Sequence, residues 1–459
     1  MKFTDITRYT TEYKALTKLG LPITISQIGM LLQGLSDTVM LGQHSAMDLA
    51  AAGFVNSVFI IAILLGIGFS TGAVARMGYL YGRRRSLRLV SVLKSGIWAN
   101  AALALVLTSV MSLIYCLLPY MGQDPSLLPL MQRYFAILLP SLPILMMTGV
   151  FKPFYDSIND TKTSMWIMLA GNAWNIFFNW IFIFGKCGCP EMGIAGAALA
   201  TATSRLFMLV LFVMVFCMHR RYAPYRGLWS KARATTGEFL QLNKLGWPIG
   251  IQMSIETASF AGASLWLGWG GVSWDAVSAL AAYQVMLQVA NMIFLFFIGI
   301  GGAISIRVSN SHGRHDREAI LVSSHGGYQM ILAISIVLTT GVFLLKDHIA
   351  GAFVSNADPV LLNRVSDIVV ACCVPMALYQ FGDGMQSAYV SALRGLGDVR
   401  PLMLYSFIAY IVISLPMSYL FGIVMDGGCT GIWYGFPFGL TTAAILYLRR
   451  FRKTMSCYR

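Results

Sequence analysis

Three carboxylates stand inside long apolar stretches of this chain. They are Asp37 in QGLSDTVML, Glu256 in KLGWPIGIQMSIETASFAGASLWLGW (244–269) and Asp383 in YQFGDGMQSAY. An acid at the centre of a bilayer costs about 2.5–3.5 kcal/mol even on the mildest scale, so it marks function. Glu256 lies roughly 18 Å along a helix starting at Lys244, near the middle of a core about 30 Å thick. Burial disfavours the charged form of a carboxyl, so a group of this kind can carry a proton. Kept ionised among hydroxyls and amides, the same group makes a hard oxygen site for Na⁺, with Glu256 and Asp383 as its ligands.

Polar side chains at helical spacing accompany these acids. Tyr379 precedes Asp383 by four residues and shares its face. Asn175 and Asn179 in GNAWNIFFNWIF are likewise four apart, and Thr201 lies in LATATS. Gln33 and Gln252 add polar points. Gln284, Gln288 and Asn291, spaced i, i+4, i+7, give the eighth helix a polar stripe that lines a substrate cavity or bonds a neighbouring helix. For Asn172 and Asn175 the competing role is hydrogen-bonded glue between helices. For Asp37, late in its stretch, it is packing within its own lobe or a place near the outer surface. Arg205, inside the sixth stretch, either pairs with an acid or snorkels.

The elements that position these groups are membrane helices. Of the 459 residues 57% are hydrophobic and 11% charged, against about 25% charged in a soluble chain, and the mean hydropathy is +0.68. Apolar stretches run over 19–41, 50–74, 93–118, 130–152, 163–184 and 193–217, and then over 244–269, 279–303, 320–345, 361–391, 402–425 and 429–449. Each is long enough to span a bilayer as a helix. All of the 33 Lys and Arg residues except Arg133, Lys186, Arg205, Lys346 and Arg364 fall on one side when both termini are cytoplasmic.

The two halves repeat. KLGLPITIS at 18 returns as KLGWPIGIQ at 244, and GFSTGAVARMGYLYGRR at 68 as GIGGAISIRVSNSHGRH at 299. YDSINDTKTSMWIML at 155 parallels VSALRGLGDVRPLML at 390. In this register Met30 stands opposite Glu256 and Ala263 opposite Asp37, so the acids are not duplicated with the architecture. The predicted fold is all-α: twelve transmembrane helices in two six-helix lobes, related by a pseudo-two-fold along the membrane normal. The lobes are 1–217 and 244–459, with a basic cytoplasmic linker at 218–243, part of which can lie on the inner leaflet.

Composition also excludes much. The net charge of +14 sits in short clusters between apolar stretches, as topology signals do, and not in a nucleic-acid-binding face. GxxxxGK[ST], HExxH and GxSxG are absent, so active transport draws on an ion gradient, with no enzymatic reaction and no cofactor. IGIGGA at 298 reads as close helix packing. The eight cysteines read as small hydrophobes, with a pairing of Cys187 or Cys189 to Cys429 as the alternative on an oxidising side. No cleavable signal peptide is evident at the N-terminus.

The order and spacing of four blocks resemble the multidrug and toxic compound extrusion (MATE) family, in its NorM-like branch. They are PITISQIGMLLQGLSDTVMLGQHSAMDLAAAG at 22, TKTSMWIMLAGNAWNIFFNWIFIFG at 161 with PEMGIAGAALATA at 190, KLGWPIGIQMSIE at 244, and YQFGDGMQSAYVSALRGLGDVRP at 379. The resemblance implies two lobes forming a V that rock to exchange a drug for Na⁺ or H⁺. It matches Glu256, Asp383 and Tyr379 to a second-lobe cation site and Asp37 to the first-lobe acid. Asn175, Asn179 and Thr201 match a further first-lobe site, where some relatives carry Asp at the position of Asn179. The implied function is export of amphipathic or cationic compounds by a monomer in the bacterial inner membrane. The alternatives are a flippase for lipid-linked precursors, which needs a basic cluster for phosphate, and a non-transporting scaffold or receptor, against which unpaired core acids argue.

Overall fold

A chain segment in hydrocarbon must satisfy its own backbone, and every apolar stretch here does so as a helix. The computed structural model describes residues 6–122, 124–268, 274–353 and 359–458; Lys2, Trp269 and Arg459 lie outside them. In chain order the long helices are α1 (Ile6–His44), α2 (Ala46–Gly82), α3 (Ser86–Leu117), α4 (Leu128–Ser157), α5 (Thr161–Phe184) and α6 (Ile194–Met218). They continue with α7 (Thr236–Gly268), α8 (Ala276–Gly313), α9 (Arg317–Phe353), α10 (Pro359–Leu396), α11 (Arg400–Val424) and α12 (Gly428–Ser456). Among the described residues, 11 of them are long and apolar enough to cross a membrane. The remaining helix, α7, has 33 residues, but Gln252, Glu256 and its hydroxyl side chains hold its hydropathy below the others.

Local chemistry sets the helix ends. Ser45 accepts from Met47 N at 3.2 Å to cap α2. Asp275 caps α8 by accepting from Val277 N and Ser278 N at 3.3 and 3.1 Å. Gly185, at φ +63°, closes α5 in the left-handed region open to glycine. α4 is interrupted at Leu139–Pro140, because proline has no N–H to continue the ladder. α11 contains two wide π-helical stretches, Phe407–Ser414 and Leu420–Val424, a rare geometry that often marks functional positions.

The chain divides into two compact units, Ile25–Gly250 and Met1–Thr24 with Ile251–Arg459. The division passes through α1 and α7, not through the loop before α7. In the second unit a Cβ on Gly20 would stand 3.1 Å from Gly299 O, so the first part of α1 seats directly against α8. In the first unit a Cβ on Gly68 would stand 2.6 Å from Gly250 N, and one on Gly72 2.9 Å from Gly246 N. The first part of α7 therefore seats against α2. The glycine-rich IGIGGA segment does pack helices closely, as expected from its composition.

The basic segment before α7 is ordered against the first unit. Tyr222 is buried and donates to Asp160 Oδ2 at 2.5 Å. Lys94 Nζ lies 4.8 Å from the Trp229 ring and donates to Ala232 O at 3.0 Å. Residues 236–243, expected in the linker, form the opening turns of α7. All eight cysteines are free. Cys429 is buried with its Sγ 3.8 Å from that of Cys372, so the expected alternative pairing with Cys187 or Cys189 is not formed.

Candidate functional site

Each unit carries its own cluster of polar side chains within its helices. In the second unit the centre is Glu256 on α7. Its Oε1 lies 2.9 Å from Tyr410 OH and accepts from Gln386 Nε2 at 3.4 Å; its Oε2 accepts from Gln252 Nε2 at 3.5 Å. Gln252 sits four residues earlier on the same helix face, and its Oε1 accepts from Arg394 Nη2 at 2.6 Å. A continuous polar path thus joins Glu256 to a guanidinium near the end of α10. The π-helical stretch of α11 carries Tyr410 into this cluster.

Tyr410 OH also stands 2.8 Å from Gln386 Oε1. One hydroxyl proton cannot serve two acceptors. When Tyr410 donates to Glu256, the carboxylate can be ionised. When it donates to Gln386, the Glu256 oxygen must supply the proton for the 2.9 Å contact. The cluster therefore accommodates both protonation states of Glu256 with the same heavy-atom positions.

Asp383 and Tyr379 lie on α10, one turn apart. Asp383 is buried, and its Oδ1 has no hydrogen-bond partner; both amide atoms of neighbouring Gln380 are also buried without one. The charge of Glu256 acts on both Asp383 and Tyr379. Tyr379 is held by aromatic rings, with centroids 5.6 Å from Trp433 and 6.1 Å from Phe260. Unpaired buried acceptors are costly, and a proton or a hard cation would satisfy them. Among the described residues no three His, Cys, Asp or Glu side chains converge as a metal cluster. The donor set of carboxylates, amide oxygens and phenols suits Na⁺ or H⁺ better than a transition metal.

In the first unit the four residues singled out by sequence form one chain. Asn175 Nδ2 donates to Thr201 Oγ1 at 3.3 Å, Asn179 Nδ2 lies 3.2 Å from Asn175 Oδ1, and Asn179 Nδ2 donates to Asp37 Oδ1. Asn172 is buried with neither amide atom partnered. Arg205 does not snorkel: its Nη1 donates to Ser141 Oγ at 2.6 Å. Gln284, Gln288 and Asn291 are exposed on α8, while Val285, Met286, Val289 and Ala290 between them are buried.

Sequence reasoning did not pick out Gln386, Tyr410, Gln380 or Arg394 as site residues. Gln386 had a usable signal, since it follows Asp383 by three residues on one helix face. Tyr410 had none, being one of 20 tyrosines. Arg394 carries no such signal, because a basic residue near a helix end reads equally well as a topology charge.

The MatE family model matches residues 22–181 and again 248–420, once in each half. The chain is 30% identical over 456 residues to the multidrug resistance protein NorM of Photobacterium profundum, covering 97% of this chain and 96% of that one. It is 27% identical to the Vibrio cholerae protein of the same name, covering 96% of each. In fold it is similar to a solved outward-facing multidrug resistance MATE family transporter of the MOP superfamily, with TM-score 0.85, 17% identity and full coverage (100%) of both chains. A eukaryotic MATE transporter, AtDTX14, superposes with TM-score 0.82 at 17% identity over 98% of this chain and 100% of that one.

Proposed function

The chain belongs to the MatE family, and from that premise we propose that Glu256 and Asp383 couple cation entry to the export of amphipathic or cationic compounds. It is a multi-pass membrane transporter of the multidrug efflux class, a cation-coupled antiporter and not an enzyme. The observation that carries the coupling assignment is the pairing of Glu256, which can hold or release a proton within fixed hydrogen bonds, with Asp383, whose Oδ1 is buried and unpartnered. Either a proton or Na⁺ answers both needs. Neutralising the two carboxyl groups removes their attraction for a cationic compound, so ion and substrate compete for one site. Tyr379 completes the second-unit site, and Gln284, Gln288 and Asn291 line the path of the substrate. The two compact units move as lobes, the protein works as a monomer, and both termini face the cytoplasm of the inner membrane.

The flippase reading needs a basic cluster for phosphate. The intramembrane arginines Arg205 and Arg394 lie in different units, each bonded to a neutral partner, Ser141 and Gln252, which favours export of amphiphiles. Efflux of a cationic dye from loaded vesicles, with Na⁺ and pH gradients imposed separately, tests the reading and identifies the ion. Glu256→Gln and Asp383→Asn, present at normal levels, should each abolish gradient-driven efflux. Full efflux by both variants would remove the two acids from the mechanism.

A further inference from the structure

The first unit carries a cavity at the end where the basic segment before α7 leaves α6. Its volume is about 570 Å³, within the roughly 300–1,000 Å³ of small-molecule sites. Its walls are apolar and come from three membrane helices: Ile97 of α3, Phe151 of α4, and Val213 and Phe216 of α6. The rings run in a row, with centroids 6.2 Å apart from Phe151 to Phe216 and 5.8 Å from Phe216 to Trp229. Trp229 is fixed in turn by Lys94, whose Nζ lies 4.8 Å from its ring. Arg226 and Ser230 stand exposed at the rim. Arg226 Nη1 donates to Cys217 O in the last turn of α6, which anchors the guanidinium at the mouth. Residues 218–235 hold five Lys and Arg and no acid. Among the described residues, Arg221 alone of the five forms an ion pair, with Asp160 at 3.0 Å.

Ile97 stands eleven residues into α3, and Val213 five residues before the end of α6. At ~1.5 Å per residue the cavity reaches about 16 Å and 8 Å inward from those helix ends. That is the depth of one leaflet's hydrocarbon, half of a core about 30 Å thick. Val213 is exposed, so the cavity opens on the helix surface at this depth. An apolar cleft open to hydrocarbon takes an alkyl chain, and a guanidinium at its mouth selects an anion, its planar fork matching phosphate. A basic stretch at the membrane surface draws anionic lipid toward the same place. A cationic amphiphile meets repulsion there, which separates this cavity from the acids of the second unit. We propose that the cavity takes one acyl chain of an anionic phospholipid whose phosphate is held by Arg226. A bound lipid then ties α3, α4 and α6 to the basic segment that leads into α7. The inference rests on no step of the export cycle.

The test uses the full chain purified in detergent and two brominated probes, a phosphatidylglycerol and a phosphatidylcholine with the same acyl chains. Bromine quenches a nearby indole, and the signal of this site is the difference between wild type and Trp229→Phe. Phosphatidylglycerol should quench Trp229 at a concentration about tenfold lower than phosphatidylcholine, the worth of one charge-assisted contact to phosphate. Arg226→Gln should remove that preference, and Arg226→Lys should retain part of it. Val213→Phe, which narrows the cavity, should weaken quenching by both lipids. The comparison of the two lipids on wild-type protein stands even where a variant does not fold. No quenching of Trp229 by either lipid, equal quenching by both, or an undiminished preference in Arg226→Gln overturns the site. Displacement of phosphatidylglycerol by a cationic amphiphile as readily as by unbrominated phosphatidylglycerol also overturns it, and would make the cavity a way-station for substrate. The readout is binding and not efflux, so failure here leaves the assignment of Glu256 and Asp383 untouched.

Discussion

Arg76 on α2 grips Glu238, at the start of α7, through two parallel hydrogen bonds: Nε to Oε2 at 2.8 Å and Nη2 to Oε1 at 2.7 Å. The second unit contains the same device. Arg307 on α8 holds Glu12 on α1 with bonds of 2.9 and 2.6 Å, and Ser323 adds a third to Glu12 at 2.6 Å. In the repeat register Glu12 aligns with Glu238 and Arg76 with Arg307. Each half of the chain thus fastens the opening turns of its first helix to the second helix of the other half. Such bidentate pairs combine geometry with charge, and a lysine cannot reproduce them.

Breaking one of these pairs leaves a partly buried guanidinium without its partner. Glu238→Gln and Glu12→Gln are each expected to lower stability by about 1–3 kcal/mol, and Arg76→Lys by a similar amount. Thermal unfolding of the purified protein in detergent measures this. The double variant Glu238→Gln with Arg76→Gln should lose less than the sum of the singles.

The glycine seats predict a sharp positional contrast. Gly68→Ala would place a Cβ 2.6 Å from backbone of α7, with no flexible side chain to yield, at an expected cost of about 1–3 kcal/mol. A Cβ on Gly34 meets nothing within 4 Å, so Gly34→Ala should stay within about 0.5 kcal/mol of wild type. Melting temperatures of the two variants decide the matter.

Tyr410→Phe removes the one hydroxyl shared by Glu256 and Gln386. It leaves two acceptors short of a donor, an expected loss of about 1–3 kcal/mol in stability. Efflux should fall about tenfold or more if the proton position on this hydroxyl tracks the coupling state. Efflux at the wild-type rate, with only the melting temperature lowered, would give Tyr410 a purely structural role.

Asn179→Asp exchanges a donor for an acceptor beside Asp37. Two carboxylates that close require a proton or a cation between them. The variant's melting temperature should therefore depend more strongly on Na⁺ or on pH than the wild type's. A flat response in the variant would exclude a proton or cation shared between positions 37 and 179.

The helices, their number and the acids worth attention are all legible in the order of residues. Apolar length forces the helix in hydrocarbon, and a carboxylate there is conspicuous because it costs energy. Spacing on one helix face even grouped Asn175 with Asn179 and Asp383 with Tyr379, since i, i+4 neighbours need no tertiary information. Partnership across helices, by contrast, emerges only from the packed helices. Nothing in the order of residues says that Tyr410 reaches Glu256 across 154 positions, or that Arg394 turns into a polar network instead of serving only as a topology charge. Nor does it say that Glu12 and Glu238 fasten to the opposite halves of the chain. Those contacts depend on which helix faces meet, and that is settled by glycine-close packing and by donors finding acceptors once the helices are side by side.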